Sequence, residues 1–147
     1  LKVEFAYAFT KEYYPGIPRL TLNSIDGAAF TVNGVSFLPL PVMHLQMPVL
    51  GFRIENFSYI TDANHIPPET LEKLEGTEIL VLNALQREQH ISHFNLSEAL
   101  AMVETIKPGH TYFTHISHKL GLHADVAKEL PDHVSLAFDG QQISGKQ

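Results

Sequence analysis

At 147 residues, 44% hydrophobic and 18% charged, the chain is long enough for one domain with a real core and has a globular composition. Its net charge of −6 gives no broad basic field, which excludes nonspecific binding to duplex DNA or anionic membranes as a main activity. No apolar run nears the ~20 residues that span a bilayer. With no cysteine there are no disulfides, thiolate ligands or cysteine nucleophile, which fits the cytoplasm without requiring it.

In chain order, Leu1 to Phe9 alternates loosely and predicts a strand, and Lys11 to Pro18, with Tyr13 and Tyr14, predicts an aromatic loop. Leu20 to Ile25 reads as a strand, Asp26-Gly27 as a turn and Ala29 to Val32 as the returning strand. Asn33-Gly34 is a strong hairpin signal. Val35 to Val42 follows, with Pro39 and Pro41 restricting it to a sheet edge or a strand exit. Leu45 to Gly51 reads as a loop, and Phe52–Ile54 and Phe57–Ile60 as a hairpin across Glu55-Asn56.

From Asp62 the pattern changes. Pro67-Pro68-Glu69 opens a helix that carries Leu71 and Leu74 and stops at Gly76. Glu78 to Leu82 is an apolar strand, and Asn95 or Ser97 can cap a helix whose Leu96, Ala99, Leu100, Val103 and Ile106 repeat at helical spacing. A strand runs through Tyr112 and Phe113 into His115, a helix spans about 117–130, and Val134 to Phe138 is a last strand. Alternating helix and strand predicts an α/β (α+β) layered sheet in one domain, with no internal repeat or linker.

Nine histidines are the outlier, and six of them (His90, His93, His110, His115, His118 and His123) fall within 34 consecutive positions. Histidine is the commonest neutral metal ligand and the usual acid–base group near pH 7, although a cap or surface role is commoner for any single one. Three stretches end with such a group where a strand leaves the sheet: His44, Asp62 and His115. Ligands and metals gather at that rim. Two imidazoles and a carboxylate suit a divalent cation such as zinc or manganese, and Asp62 has two oxygens with which to bridge a pair. Three ligands do not fill two sites.

Pro41-Val42-Met43-His44, Gly51-Phe52-Arg53, Tyr59-Ile60-Thr61-Asp62-Ala63, Leu80 to Leu85, His90-Ile91-Ser92-His93-Phe94, Thr114-His115-Ile116-Ser117-His118 and Ala137-Phe138-Asp139-Gly140 occur in one order. Together they resemble the metallo-β-lactamase fold superfamily, in a branch similar to the phosphoribosyl cyclic phosphodiesterase of phosphonate breakdown and, more distantly, to tRNase Z. The resemblance implies an αββα sandwich and two divalent ions that activate water for attack on a phosphodiester. That family carries His-x-His-x-Asp-His, then a His, an Asp and a His. The last three match His44, Asp62 and His115, whereas no His-x-His occurs in this sequence. The chain therefore resembles the C-terminal half of the fold, a single partial domain over 1–147.

By the same resemblance His93, in the loop before a helix start, contacts the substrate phosphate and protonates the leaving group, and Asp62 is catalytic as well as a metal ligand. His90 and His118 either orient the ligands or lie on the surface. Asn83 and Gln86 stand where relatives often carry Asp and Arg. The implied substrate is a small phosphodiester or nucleotide-like molecule, and the apolar face left by a missing layer predicts a homo-oligomer. Two alternatives remain: hydrolysis of another ester, such as a thioester or lactone, and a metal-free binding or scaffold module.

Overall fold

The computed structural model describes residues 1–10 and 15–144, so the expected aromatic loop at Tyr13 and Tyr14 falls outside the described residues. Seven strands lie side by side in chain order: β1 (Phe30–Val32), β2 (Val35–His44), β3 (Met47–Ile54), β4 (Phe57–Ile60), β5 (Ile79–Asn83), β6 (His110–Thr114) and β7 (Val134–Leu136). The first four pair antiparallel and the last four parallel. Parallel neighbours need a crossover, which α1 (Pro68–Lys73), α2 (Leu96–Ile106) and α3 (His123–Val126) provide. One cluster joins Leu74, Ala99, Val103 and Val126 of the crossovers to Leu40, Ile60, Leu80, Leu82 and Phe113 of the sheet, so the helices cover a single face. On the opposite face Phe30 stacks on Phe37 with centroids 5.5 Å apart, and both meet Phe52 edge-on.

Turn chemistry sets the first half. Asn33 and Gly34 both take positive φ, 49° and 83°, as the tight hairpin between β1 and β2 requires. Pro39 and Pro41 lie where β2 has β3 on one side only. Met43, of the same parity, donates its N–H outward to His65 O at 3.0 Å, so the prolines lack an N–H on the open side alone. The outward carbonyl of Pro41 accepts from Thr70 Oγ1 at 2.6 Å, and that of Pro39 from Lys73 Nζ at 3.4 Å. In this way α1 roofs the edge.

Gly51 and Arg53 serve packing. A Cβ at Gly51 would lie 2.7 Å from Tyr59 O and 2.8 Å from Ile60 Cγ1, so β3 can approach β4 only without one. Arg53 Nη1 donates to Lys73 O and Glu75 O, both at 2.6 Å, and Nε donates to Glu55 O at 2.7 Å. One guanidinium thus satisfies carbonyls at the C-terminal end of α1. At α2 Asn95 is the cap: its Oδ1 accepts from Glu98 N at 2.8 Å while Glu98 Oε2 accepts from Asn95 N at 3.0 Å.

Several expectations need correction. Leu1 to Phe9 forms turns and a 3-10 segment (Ala6–Phe9), and Leu20 to Ile25 joins no sheet. Alternation favours a strand only where a neighbour receives its backbone bonds, and here Leu20, Leu22 and Ile25 are exposed. Leu45 to Gly51 is mostly strand, because Pro48 sits opposite Met43 with its missing N–H toward the open side of β3. The helix expected over 117–130 shrinks to α3, since Gly121 at φ 121° interrupts it. The last strand ends at Leu136, although Ala137 N still donates to Phe113 O at 2.8 Å.

Two outcomes follow. Arg53→Ala removes three bonds from charged donors and is expected to lower stability by about 1–3 kcal/mol in urea denaturation, and Arg53→Lys to recover little of it, lacking the fork. His110 Nε2 lies 3.0 Å from Ser135 Oγ across the β6–β7 pair, and burial, then His133, lowers its pKa from 6.5. His93 shifts the same way. The unfolded chain therefore takes up these protons before the folded one. Stability is complete above about pH 6.5 and falls as pH drops below it. Urea midpoints measured from pH 7.5 to 5 are expected to show this slope, reduced in His110→Gln.

Candidate metal centre

Chain direction brings the site together. Strand β2 is antiparallel to β3 and β3 to β4, so β2 runs in the same direction as β4, β5 and β6, and all four end on one rim. His44 is the last residue of β2, Asp62 lies two residues beyond β4, and His115 follows β6 directly. His93 stands two residues before the cap of α2, in the crossover from β5.

The backbone there is strained and firmly held. Asp62 and His115 are left-handed, with φ of 53° and 56°, as is Leu45 beside His44 at 57°. Such a residue costs of order 1–3 kcal/mol and persists only where its surroundings enforce it. After Asp62 the fully buried Asn83 side chain accepts from Ala63 N at 3.0 Å and donates to Ala63 O at 2.9 Å. Ala63 O also accepts from Phe94 N at 2.8 Å. Around His115, Ala84 N donates to Thr114 O at 3.0 Å and Ser117 N to Leu85 O at 2.9 Å.

Asp62 is the centre of the group. Its Oδ1 lies 3.2 Å from His93 Nε2 and 3.3 Å from His115 Nε2. The rings of His93 and His115 stack 4.7 Å apart at 9°, and His44 meets His93 edge-on at 4.7 Å. Ligand atoms of His44, Asp62 and His93 all lie within 4.8 Å of one another. The sequence reading grouped His44 and Asp62 with His115. The structure brings these three together and adds His93, which joins His44 and Asp62 in a potential ligand group. Behind it, His93 Nδ1 is 3.0 Å from Ser92 Oγ and 3.2 Å from His90 Nδ1. His90 is therefore against the site, whereas His118 is exposed and, among the described residues, has no bond or ring contact to it.

Electrostatics suit cation binding. For Asp62, burial raises the pKa, but the His93 bond, the charges of His115 and His93, and a Thr61 bond outweigh it and leave a net lowering. For His93, burial is the largest effect and lowers the pKa. The bond to Asp62 opposes this, and His115, His44 and His90 lower it further. Near pH 7 the carboxylate is ionised and the buried imidazole neutral, the states a metal needs. A ligand set of imidazole and carboxylate fits a borderline divalent ion, and three such ligands leave an open coordination position. The donor set therefore fits a metal. An ionised carboxylate can only accept, so His93 turns Nε2–H on Asp62 Oδ1.

Three residues emerge that sequence reasoning did not single out in these roles. Asn83 acts on the backbone and not as an anion binder, Ser92 backs His93, and Asn64 ties two loops, its Oδ1 accepting from Leu45 N and its Nδ2 donating to Ile91 O. Gln86 is buried, with Nε2 3.4 Å from Glu88 O. Asn64 and Asn83 act across the fold, so no local signal distinguishes them from loop residues, whereas Ser92 and Gln86 bond near neighbours in the chain.

A family model described as the beta-lactamase superfamily domain matches residues 1–116. Among solved structures, a diphosphatase of the PhnP family is similar over 99% of this chain and 54% of its own, with 34% identity and a TM-score of 0.88. The metallo-β-lactamase fold protein YhfI of Bacillus subtilis (18% identity, TM-score 0.70, 92% of this chain and 58% of its own) shares the fold. So does the short form of human tRNase Z (15%, 0.60, 92% and 54%). An octanoyltransferase of Porphyromonas gingivalis is 32% identical over 136 residues, 91% of this chain but 28% of that protein. The chain thus spans about half the length of those structures and less of the curated relative. The match across residues 1–116, the 0.88 superposition and a rim of histidines around one aspartate lead to one conclusion: the chain belongs to the β-lactamase superfamily and has the metallo-β-lactamase fold.

Proposed function

We propose that this chain supplies one flank of a metal-dependent hydrolase of phosphodiester bonds, with His44, Asp62 and His115 as ligands to two divalent ions, zinc or manganese. The observation that supports this most is Asp62 lying 3.2 and 3.3 Å from two imidazoles, with a third in the same group. Similarity to a diphosphatase, whose name denotes phosphoryl chemistry, favours phosphorus over carbon as the centre attacked.

When bound, such ions lower the pKa of water and neutralise charge on the phosphoryl oxygens. The chain's own residues do the rest. Asp62, ionised and held in a fixed conformation, has two carboxylate oxygens to offer as ligands. His44 and His115 present imidazoles from separate strand ends, so their spacing follows from the sheet. His93 is only 9% exposed and neutral near pH 7, which suits an N–H that grips a phosphoryl oxygen. To protonate the leaving group it must first gain a proton, which the adjacent Asp62 stabilises.

A second reading keeps the site and changes the ester. Its support is the name of the octanoyltransferase relative, together with an apolar recess of about 300 Å³ formed by Met47, Val49 and Leu50 beside His44 and Asp62. That recess would hold an acyl chain.

Two measurements test these readings. Titrated with zinc or manganese, the chain alone is expected to bind weakly, and Asp62→Asn to weaken binding by about tenfold or more. His118→Ala should leave it unchanged. Wild-type binding that survives Asp62→Asn intact would remove Asp62 from the centre. For activity, the chain joined to a segment carrying His-x-His-x-Asp-His is expected to hydrolyse bis-p-nitrophenyl phosphate, and the chain alone to do so poorly. His44→Ala, Asp62→Ala and His115→Ala should each abolish most turnover in the joined protein. Faster cleavage of an acyl thioester than of the phosphodiester would decide for the second reading.

A further inference from the structure

Two residues beyond Asp62, Asn64 touches both loops that flank it. Its Oδ1 accepts from Leu45 N at 2.8 Å, next to His44, and its Nδ2 donates to Ile91 O at 3.0 Å, two residues before His93. Its own N–H donates to Met43 O at 2.9 Å, and His65 O accepts from Met43 N at 3.0 Å, so the backbone around Asn64 is stitched to β2. Among the described residues, no other side-chain hydrogen bond joins the His44 turn to the His90–His93 loop.

An amide is suited to this position. It is short, flat and rigid, with an acceptor at one end and a donor at the other. The two groups it reaches lack strand partners: Leu45 is in a turn with φ 57°, and Ile91 lies in an irregular crossover. Ligand atoms must be held to within about 0.5 Å for a metal to bind well. The side chain that fixes the distance between the His44 and His93 loops therefore fixes the aperture around Asp62.

We propose that Asn64 is the positioning residue of the centre, a brace that sets the separation of His44 and His93. The proposal rests on the metal reading of that centre, but its structural part can be tested without metal. Asn64→Asp separates the two bonds, because a carboxylate still accepts from Leu45 N but cannot donate to Ile91 O. In this variant the Leu45 amide is expected to stay protected from hydrogen exchange and the His44 ring signals to stay in place. The His93 ring signals should shift and broaden. Asn64→Ala is expected to lose Leu45 protection and disturb both rings, and zinc affinity should fall by about 10–100-fold at a temperature where the variant remains folded.

Either of two results overturns the proposal: unchanged ring signals and zinc affinity in Asn64→Ala, or disturbance of both loops or of neither in Asn64→Asp. A lower melting temperature with unaltered zinc affinity also counts against it. Should Asn64→Ala fail to fold, Asn64→Asp decides. If the unsubstituted chain binds no zinc, the metal reading falls, while the exchange and ring-signal comparison still decides the role of Asn64.

Discussion

The Asn83 side chain holds both polar atoms of Ala63, and the geometry of the rim depends on that grip. Beyond Ile60, β4 has no further ladder to either side, and Asp62 would be free to relax from its left-handed conformation. A fully buried amide that donates and accepts at once replaces the missing rungs. Without either bond a polar group would be orphaned in the core, at a cost of about 1–3 kcal/mol. The grip also conditions its neighbours, because the same Ala63 carbonyl receives Phe94 N and so seats the loop that carries His93.

Charge and burial then divide the labour among residues of similar chemistry. His93 sits deep, with its second nitrogen occupied by Ser92 and His90, while His115 and Asp62 stay partly open to solvent at 39% and 46%. A buried neutral imidazole beside exposed ligands can touch a bound anion without adding a permanent charge. Its surroundings, more than its identity, separate it from the other histidines of the rim.

Much of this was legible in the sequence. Polar residues that end apolar, β-forming runs mark a strand's exit, and His44, Asp62 and His115 were found by that rule. The crossover helices α1 and α2 and the Asn95 cap followed from local periodicity and side-chain chemistry, whereas the helix expected over 117–130 shrank to α3. His-Ile-Ser-His occurs twice, at 90–93 and 115–118, and shows where local reading stops. In the first copy the second histidine joins the site, and in the second copy it is the first. Only the end point of β6 and the start of α2 decide between them. The segment before Phe30 misled because alternation describes a strand's faces but not whether a partner strand exists. Asn64 and Asn83 were illegible for a related reason: their bonds span 19 to 27 residues of chain and leave no local trace.

The strand order has a kinetic consequence. Because β1 to β7 lie in the sheet as they lie in the sequence, each strand pairs with the one made just before it. No strand has to insert between two that are already joined, and each loop closes over a short separation, which favours fast assembly. The sheet can therefore lengthen at one edge in the direction of synthesis. On that schedule His44 is in place early, Asp62 is fixed once β5 brings Asn83, the His93 loop settles once α2 packs, and His115 arrives with β6. Until then the nascent rim has its carboxylate but only part of its imidazole wall.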